Sequence, residues 1–280
     1  MDDIHYREYK ILLRPERFFD PHQFEVYWHK LCLIAPEFKV EPTTNKDGFK
    51  RQVREVLFYD TPDYDLYRNA FILRKRTFYT DGWPEPEHEL TLKFRHPELA
   101  VAAAVDVVPH LSGHADIKFK EELLPLKDSL GGMRSLYSHN CVLLSPGLVL
   151  DAGLERITTV FPELADHCPA DKAATISLVN NLPVEEVQVN VGSFDFGHGL
   201  TAKATISVWR DRATESAIIG EFAFQAKFDR YDALHAKARE RSEAFFKAAQ
   251  TQAPEWVKLG ATKTALVYNF GKQLVASHEG

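Results

Sequence analysis

The stretch FYDTPDYDLYRNAFILRKR, residues 58–76, holds a short turn, a helical half-turn and then a strand on which Arg74 and Arg76 point the same way. Residues two apart share one face of a strand, so the two guanidinium groups look together at water or together at a cavity. The other strands decide between these. Period-2 alternation recurs at residues 4–13, 52–60, 70–78, 88–96, 116–124, 184–191, 201–210 and 218–228. In residues 88–96 Glu89, Thr91, Lys93 and Arg95 oppose Leu90, Leu92 and Phe94. In 116–124 Lys118, Lys120 and Glu122 oppose Ile117, Phe119 and Glu121, and in 218–228 Glu221, Gln225 and Lys227 oppose Phe222, Phe224 and Phe228. Glu8 and Lys10 form the same kind of face near the N-terminus, as do Glu186, Gln188 and Asn190.

An open antiparallel sheet with one wet face produces such alternation in most proteins. Here the charged faces carry long side chains of both signs at consecutive positions, and about eight strands are too many for one flat, half-solvated sheet. A closed eight-stranded antiparallel β-barrel, apolar outside under helices and charged inside, accommodates both features. The expected class is α+β, and Arg74 and Arg76 then point into a tunnel. Residues 21–34 read as a helix burying Phe24, Tyr27, Trp28 and Leu31, with Asp20 as N-cap and Pro21 at the first position. Residues 231–250 read as a second helix. A single domain over residues 1–280, with a C-terminal helical segment at about 231–270, is expected. Residues 127–182 give no clear pattern beyond short helices and a meander.

Composition narrows the function classes. The 280 residues are 45% hydrophobic and 26% charged, with a net charge of −6, so the bulk basic footprint of a duplex nucleic-acid binder is missing. Any anion site must be local. Cys32, Cys141 and Cys168 are widely spaced and odd in number, which suggests neither a disulfide framework nor a zinc site. No run approaches the ~20 apolar residues of a membrane span and the N-terminus lacks an apolar leader, so a cytoplasmic location is expected. HExxH, GxxxxGK[ST] and a strand-borne GxGxxG are all missing from the sequence.

The opening stretch resembles a known family. FYDTPD followed by the LRKR strand, with LTLK at residues 90–93, is similar to the Y-Y/F-D-T-P-D and L-R-x-R segments of the CYTH superfamily, the triphosphate tunnel metalloenzymes. That superfamily includes class IV adenylate cyclases, thiamine triphosphatases and inorganic triphosphatases. YREYK at 6–10 looks like a damaged form of its opening E-x-E-x-K, GEFAFQAKF at 220–228 resembles its late acidic strand, and LGATKTALVY at 259–268 resembles its closing segment. The resemblance implies an eight-stranded tunnel whose Lys and Arg bind a triphosphate while acidic residues hold divalent cations. Arg suits such a ligand because its planar fork donates hydrogen bonds in pairs, and Mg²⁺ or Mn²⁺ takes hard oxygen ligands.

Carried over by position, the resemblance implies catalytic roles for Lys10, Arg74 and Arg76, and phosphate binding by Lys93. Lys120 and Lys227 share those strand faces and are further substrate-binding candidates. Glu8, Glu221 and Glu122 are the candidate ligands of Mg²⁺ or Mn²⁺. Tyr6 and Ala223 stand where the motif has Glu, so each acidic pair has lost a member. The implied function is metal-dependent hydrolysis of a triphosphate or triphosphate-bearing small molecule, such as tripolyphosphate, thiamine triphosphate or a nucleotide, with no duplex nucleic-acid or membrane partner. A polyphosphate- or nucleotide-binding module with weak or no catalysis and a class IV adenylate cyclase stay open as alternatives. So does a barrel filled by its own ion pairs that binds nothing.

Overall fold

The structure, a computed structural model, describes residues 4–47, 49–111, 114–147 and 153–271. Its strands are β1 (Tyr6–Leu13), β2 (Glu41–Thr44), β3 (Arg51–Asp60), β4 (Phe71–Thr80), β5 (Trp83–His96), β6 (Ala115–Leu124), β7 (Arg134–Leu144), β8 (Ser177–Leu178), β9 (Val184–Asp195), β10 (Thr201–Asp211) and β11 (Ala217–Lys227). They hydrogen-bond in the order β2-β9-β10-β11-β1-β6-β7-β5-β4-β3-β8, and β9 also pairs with β3. That last pairing closes the sheet into a barrel running from β9 through β1 and β5 back to β3.

Nine strands form the ring, not the eight expected from the alternation. A ring with an odd number of strands cannot alternate direction all the way round. One neighbouring pair must therefore run parallel, and it is β1 with β6, in the register Tyr6↔Lys120 and Glu8↔Glu122. The extra strand is β7, which lies within the stretch that gave no clear pattern. Its inward positions Leu136, Ser138 and Asn140 are buried and uncharged, and its outward positions His139, Cys141 and Leu143 are buried too, so it has no charged face to announce it. Residues 148–152 of that stretch lie outside the described residues.

Helices α1 (Gln23–Ile34), α2 (Asp65–Arg68), α3 (Leu99–Ala104), α4 (Leu154–Val160), α5 (Pro162–His167), α6 (Ala236–Thr251) and α7 (Lys263–Tyr268) lie around and beneath the barrel. Helix α1 buries Phe24, Tyr27, Trp28, Leu31 and Ile34, but starts at Gln23. Asp20 accepts a hydrogen bond from the His22 N–H at 2.7 Å in the turn before it. Tyr231–Ala233 form a 3₁₀ turn ahead of α6. The apolar outer faces of β9, β10 and β11 pack beneath α1 and α6, where Phe194, Phe222 and Phe224 meet Tyr27, Trp28 and Phe245. Glu121 faces outward and is buried beneath the start of α6, where Arg7 donates to it at 2.7 Å and to Glu243 at 2.9 Å. Among the described residues no helix is long and apolar enough to cross a membrane.

The FYDTPD turn joins the barrel to its last helix. Asp60 ends β3, and its carboxylate accepts from the backbone N–H groups of Thr61 (2.8 Å), Leu66 (2.9 Å) and Tyr67 (3.0 Å). Thr61 Oγ1 accepts from Asp65 N and so caps α2, while the Tyr64 N–H closes the Pro62 turn onto Thr61 O. These bonds fix the half-turn after which β4 starts with Ile72, Arg74 and Arg76 facing inward. Asp60 also accepts from the Tyr268 hydroxyl at 3.0 Å, and the Tyr268 ring stacks on Tyr67 with centres 3.9 Å apart. The motif aspartate is therefore a structural clasp between α2 and α7. Burial pushes its carboxyl up to about 6 against the opposing effect of those hydrogen bonds. Asp60→Ala leaves three buried N–H donors and one hydroxyl without this acceptor. It is expected to cost about 2–3 kcal/mol in urea unfolding.

Candidate functional site

The barrel encloses a cavity of about 370 Å³ that runs past Arg74, Arg76 and Lys93. That is within the roughly 300–1,000 Å³ of small-molecule sites, and it rules out a barrel filled by its own side chains. The lining turns apolar at the end where β1, β3 and β10 finish. There Leu12, Phe58, Ile72, Leu124 and Trp209 line it together with Thr262, Lys263 and Thr264 from α7. At the opposite end Tyr6 stands near the mouth, and the ammonium groups of Lys118, Lys120 and Lys227 lie 6.0, 5.6 and 5.8 Å from the centre of its ring.

Nine lysines and arginines and four glutamates line the cavity, an excess of five positive charges in a chain whose net charge is −6. Of the residues singled out from sequence, Glu8, Lys10, Arg74, Arg76, Lys93, Lys120, Glu122 and Glu221 all line it, and so does Ala223. Lys227 does not. It is exposed at the end of β11, beside Tyr6 in register, because the barrel wall ends there.

The glutamates are engaged by internal cations. Glu122 is only 1% exposed and receives Lys10 at 3.0 Å, Arg95 at 3.4 Å, the Ser138 hydroxyl at 2.6 Å, and Lys93. The parallel β1–β6 register places Glu8 beside it, and Lys10 and Lys120 lie 3.2 and 3.4 Å from Glu8. On the other side Glu186 holds Arg54 at 2.6 Å, accepts from the Trp209 indole at 2.9 Å and faces Lys263 at 3.3 Å. Glu221 pairs with Lys263 at 2.8 Å.

Burial alone would raise these carboxyls, but the cations outweigh it. Lys10 and Lys120 hold Glu8 down at about 2, and Glu122 and Glu186 are held well below the usual carboxylate range by Lys10 and Lys93 and by Lys263 and Arg76 respectively. A carboxylate with a depressed folded-state pKa contributes stability that is present above its unfolded value and lost as pH falls through the folded one. Unfolding free energy is therefore expected to fall steeply as pH drops from about 4.5 toward 2. Urea titrations across that range should show the loss, and Glu8→Gln should flatten it.

The wall formed by β3 and β4 is different. Arg74 and Arg76 share its inner face with Arg54, and the Nε–H of each of the three is buried with no hydrogen-bond partner among the described residues. Arg74 donates weakly to Thr91 Oγ1 at 3.4 Å, and the nearest carboxylate paired with Arg76 is Glu89 at 3.8 Å. Burial, with Arg76 beside it, pushes the Arg74 guanidinium down to about 9. Buried donors in native proteins are almost always paired, so these three Nε–H groups are the part of the lumen whose hydrogen bonds the described residues do not supply.

Arg54, Lys203 and Lys263 line the tunnel without having been singled out from sequence. The first two were within reach of the alternation argument: Arg54 lies two positions from Val56 and four from Phe58 on the inward phase of β3, and Lys203 is in phase with Thr205 and Trp209 on β10. Lys263 lies on a helix that is brought to the barrel by the distant Asp60 clasp, so no local signal marked it.

The glutamates do not fit a resident Mg²⁺ or Mn²⁺. Among the described residues no three His, Cys, Asp or Glu side chains converge to hold an ion, and Glu8, Glu122 and Glu221 each carry a lysine where a metal would need their oxygens.

No protein-family model matches the chain, and no curated protein matches it. Solved structures do. HpAC1 from Hippeastrum, an adenylyl cyclase candidate described as having a dominant triphosphatase activity, aligns over 97% of this chain and 98% of its own at 15% identity and a TM-score of 0.48. A candidate adenylate cyclase from Bacillus halodurans aligns over 97% of this chain and 100% of its own at 12% identity and a TM-score of 0.42. One from Vibrio parahaemolyticus aligns over 95% and 99% at 12% and 0.36. Over nearly its full length the chain aligns with these adenylyl cyclase candidates, at 12–15% identity, and its own strand pairing closes a β-barrel.

Proposed function

We propose that the tunnel binds the triphosphate group of a small molecule, or free tripolyphosphate. The observation that carries this reading is the β3–β4 wall, where Arg54, Arg74 and Arg76 keep buried Nε–H donors without a protein acceptor among the described residues. A triphosphate carries about four negative charges and many acceptor oxygens, which suits planar guanidinium forks donating in pairs and an excess of five positive charges. Lys93, Lys120 and Lys203 add point charges along the same lumen. Partial burial inside the barrel strengthens each of these contacts relative to open solvent.

Hydrolysis of the bound triphosphate is a second reading, favoured by one observation. Glu8 and Glu221 are the least buried of the four carboxylates, with side chains 17% and 13% exposed, and both line the cavity. On this reading either of them orients a water toward a phosphorus, while the basic wall neutralises the charge that develops on the phosphoryl oxygens.

Calorimetric titration with tripolyphosphate, thiamine triphosphate, ATP, pyrophosphate and phosphate tests the first reading. One-to-one micromolar binding is expected for at least one triphosphate, weakening by about tenfold for each phosphoryl group removed. Equal, millimolar affinity for phosphate and tripolyphosphate would remove the basis for a triphosphate site. Phosphate release with Mg²⁺ or Mn²⁺, measured against an Arg76→Ala control, separates hydrolysis from binding alone.

A further inference from the structure

Helix α7 brings Lys263 into the tunnel, and its surroundings are those of a bound cation. Its ammonium lies 2.8 Å from Glu221 Oε1, 3.3 Å from Glu186 Oε1 and 3.4 Å from Ser207 Oγ, so its three N–H donors face three oxygens. The ring of Trp209 lies 4.5 Å away and closes another side. The two carboxylates come from β9 and β11, on either side of β10, and this one side chain bridges them. On the other side of the lumen Lys10 repeats the arrangement, with its ammonium 3.2 Å from Glu8 and 3.0 Å from Glu122.

The helix itself is firmly held. Thr262 caps it by accepting from Ala265 N at 3.1 Å, Asn180 donates to Val267 O at 2.7 Å and Tyr268 O at 3.0 Å, and the Tyr268 hydroxyl is clasped by Asp60. Lys263 is therefore part of the scaffold. It is unlike a surface lysine that swings in when a site is empty.

We infer that Lys263 is a built-in cation that occupies the place between Glu186 and Glu221 where a divalent ion would otherwise be held, so that the tunnel takes its polyanion without Mg²⁺ or Mn²⁺. Octahedral Mg²⁺ needs about six oxygens at close to 2.1 Å, whereas these oxygens are arranged around an ammonium at 2.8–3.4 Å. A lysine supplies one positive charge that is covalently fixed and already positioned, in place of two that must be recruited from solution. This inference rests on the triphosphate reading only for the identity of the anion.

The test has two arms that fail separately. In the first, Mn²⁺ is titrated into the protein without phosphate ligand, followed by electron paramagnetic resonance of free Mn²⁺. The wild type is expected to bind none below about millimolar, and Lys263→Met, which frees Glu186 and Glu221, is expected to bind Mn²⁺ at least tenfold more tightly than the wild type. In the second arm tripolyphosphate is titrated in EDTA. The wild type is expected to bind, Lys263→Met to lose at least tenfold, and Lys263→Arg to retain most of the affinity. Micromolar Mn²⁺ binding by the wild type, or loss of its tripolyphosphate binding in EDTA when binding is present with Mn²⁺, overturns the inference and leaves the triphosphate reading standing. If the wild type binds no tripolyphosphate under either condition, the triphosphate reading falls and the Mn²⁺ arm alone decides the role of Lys263. The two wild-type measurements remain decisive even if Lys263→Met fails to fold.

Discussion

Replacing Arg74 and Arg76 together by glutamine is expected to weaken tripolyphosphate binding by at least 100-fold while raising the melting temperature of the free protein. Each guanidinium offers a phosphate oxygen hydrogen bonds assisted by charge, at about 1.5–3 kcal/mol apiece, so losing two of them amounts to roughly 3 kcal/mol, or ~150-fold. The stability change has the opposite sign because the two groups lie side by side in the lumen and the carboxylate paired with them, Glu89, stands off at 3.8 Å from Arg76. Burial holds the Arg74 guanidinium at about 9, well below its ordinary value. A basic group depressed in this way weakens the fold at every pH below about 9, and the penalty fades only as pH rises beyond that value. At neutral pH the double variant should therefore melt a few degrees higher, at about 2–4 °C per kcal/mol relieved. The gap should close as pH is raised through 9. A variant that melts lower while binding tripolyphosphate as tightly as the wild type would mean that the arginines serve the fold and not a ligand.

Glu122→Gln should do the reverse on both counts. The carboxylate is almost completely buried and accepts from Lys10, Lys93, Arg95 and Ser138. Removing the anion of a buried ionic cluster leaves its cations uncompensated, typically at a cost of about 3–5 kcal/mol. A melting temperature lower by about 10 °C is expected. The tunnel's excess of positive charge then grows by one, so tripolyphosphate should bind the variant more tightly than the wild type. Saturating ligand, at ~100 times its dissociation constant, should return about 2.7 kcal/mol of the lost stability. Thermal melts with and without tripolyphosphate read both effects. An unchanged melting temperature would show that Glu122 is not the hub of the lumen's ion pairs.

The barrel was legible because its charged face is the inner one. Strands β1, β3–β6 and β9–β11 each set long charged or polar side chains against aliphatic and aromatic ones, and the outer face found its apolar partners in α1 and α6. Strand β7 escaped because Ser138 and Asn140 serve the lumen as small hydrogen-bonding groups, so both of its faces read as buried. Missing it also hid the parallel β1–β6 pairing, and with it the adjacency of Glu8 and Glu122.

Every site residue singled out from sequence lines the lumen except Lys227, while Arg54, Lys203 and Lys263 were missed and the pairings among the inward-facing groups were not legible. Alternation says which side chains enter a lumen and nothing about which will meet there. Glu221 was legible as an inward carboxylate; that its neighbour is an ammonium from α7 depends on Asp60 and Tyr268, 208 residues apart in the chain. The sequence FYDTPD is thus tied to the tunnel in two ways. It sets the phase in which Arg74 and Arg76 face inward, and it anchors the helix that carries Lys263.

A crystal structure of the protein with tripolyphosphate, grown in EDTA, tests the central claim most directly. The account predicts the phosphate chain inside the barrel, with oxygens within hydrogen-bonding distance of the Arg54, Arg74 and Arg76 Nε groups and with Lys263 still between Glu186 and Glu221. A lumen without the anion at saturating tripolyphosphate, or a phosphate chain held outside the barrel away from the β3–β4 wall, would contradict it.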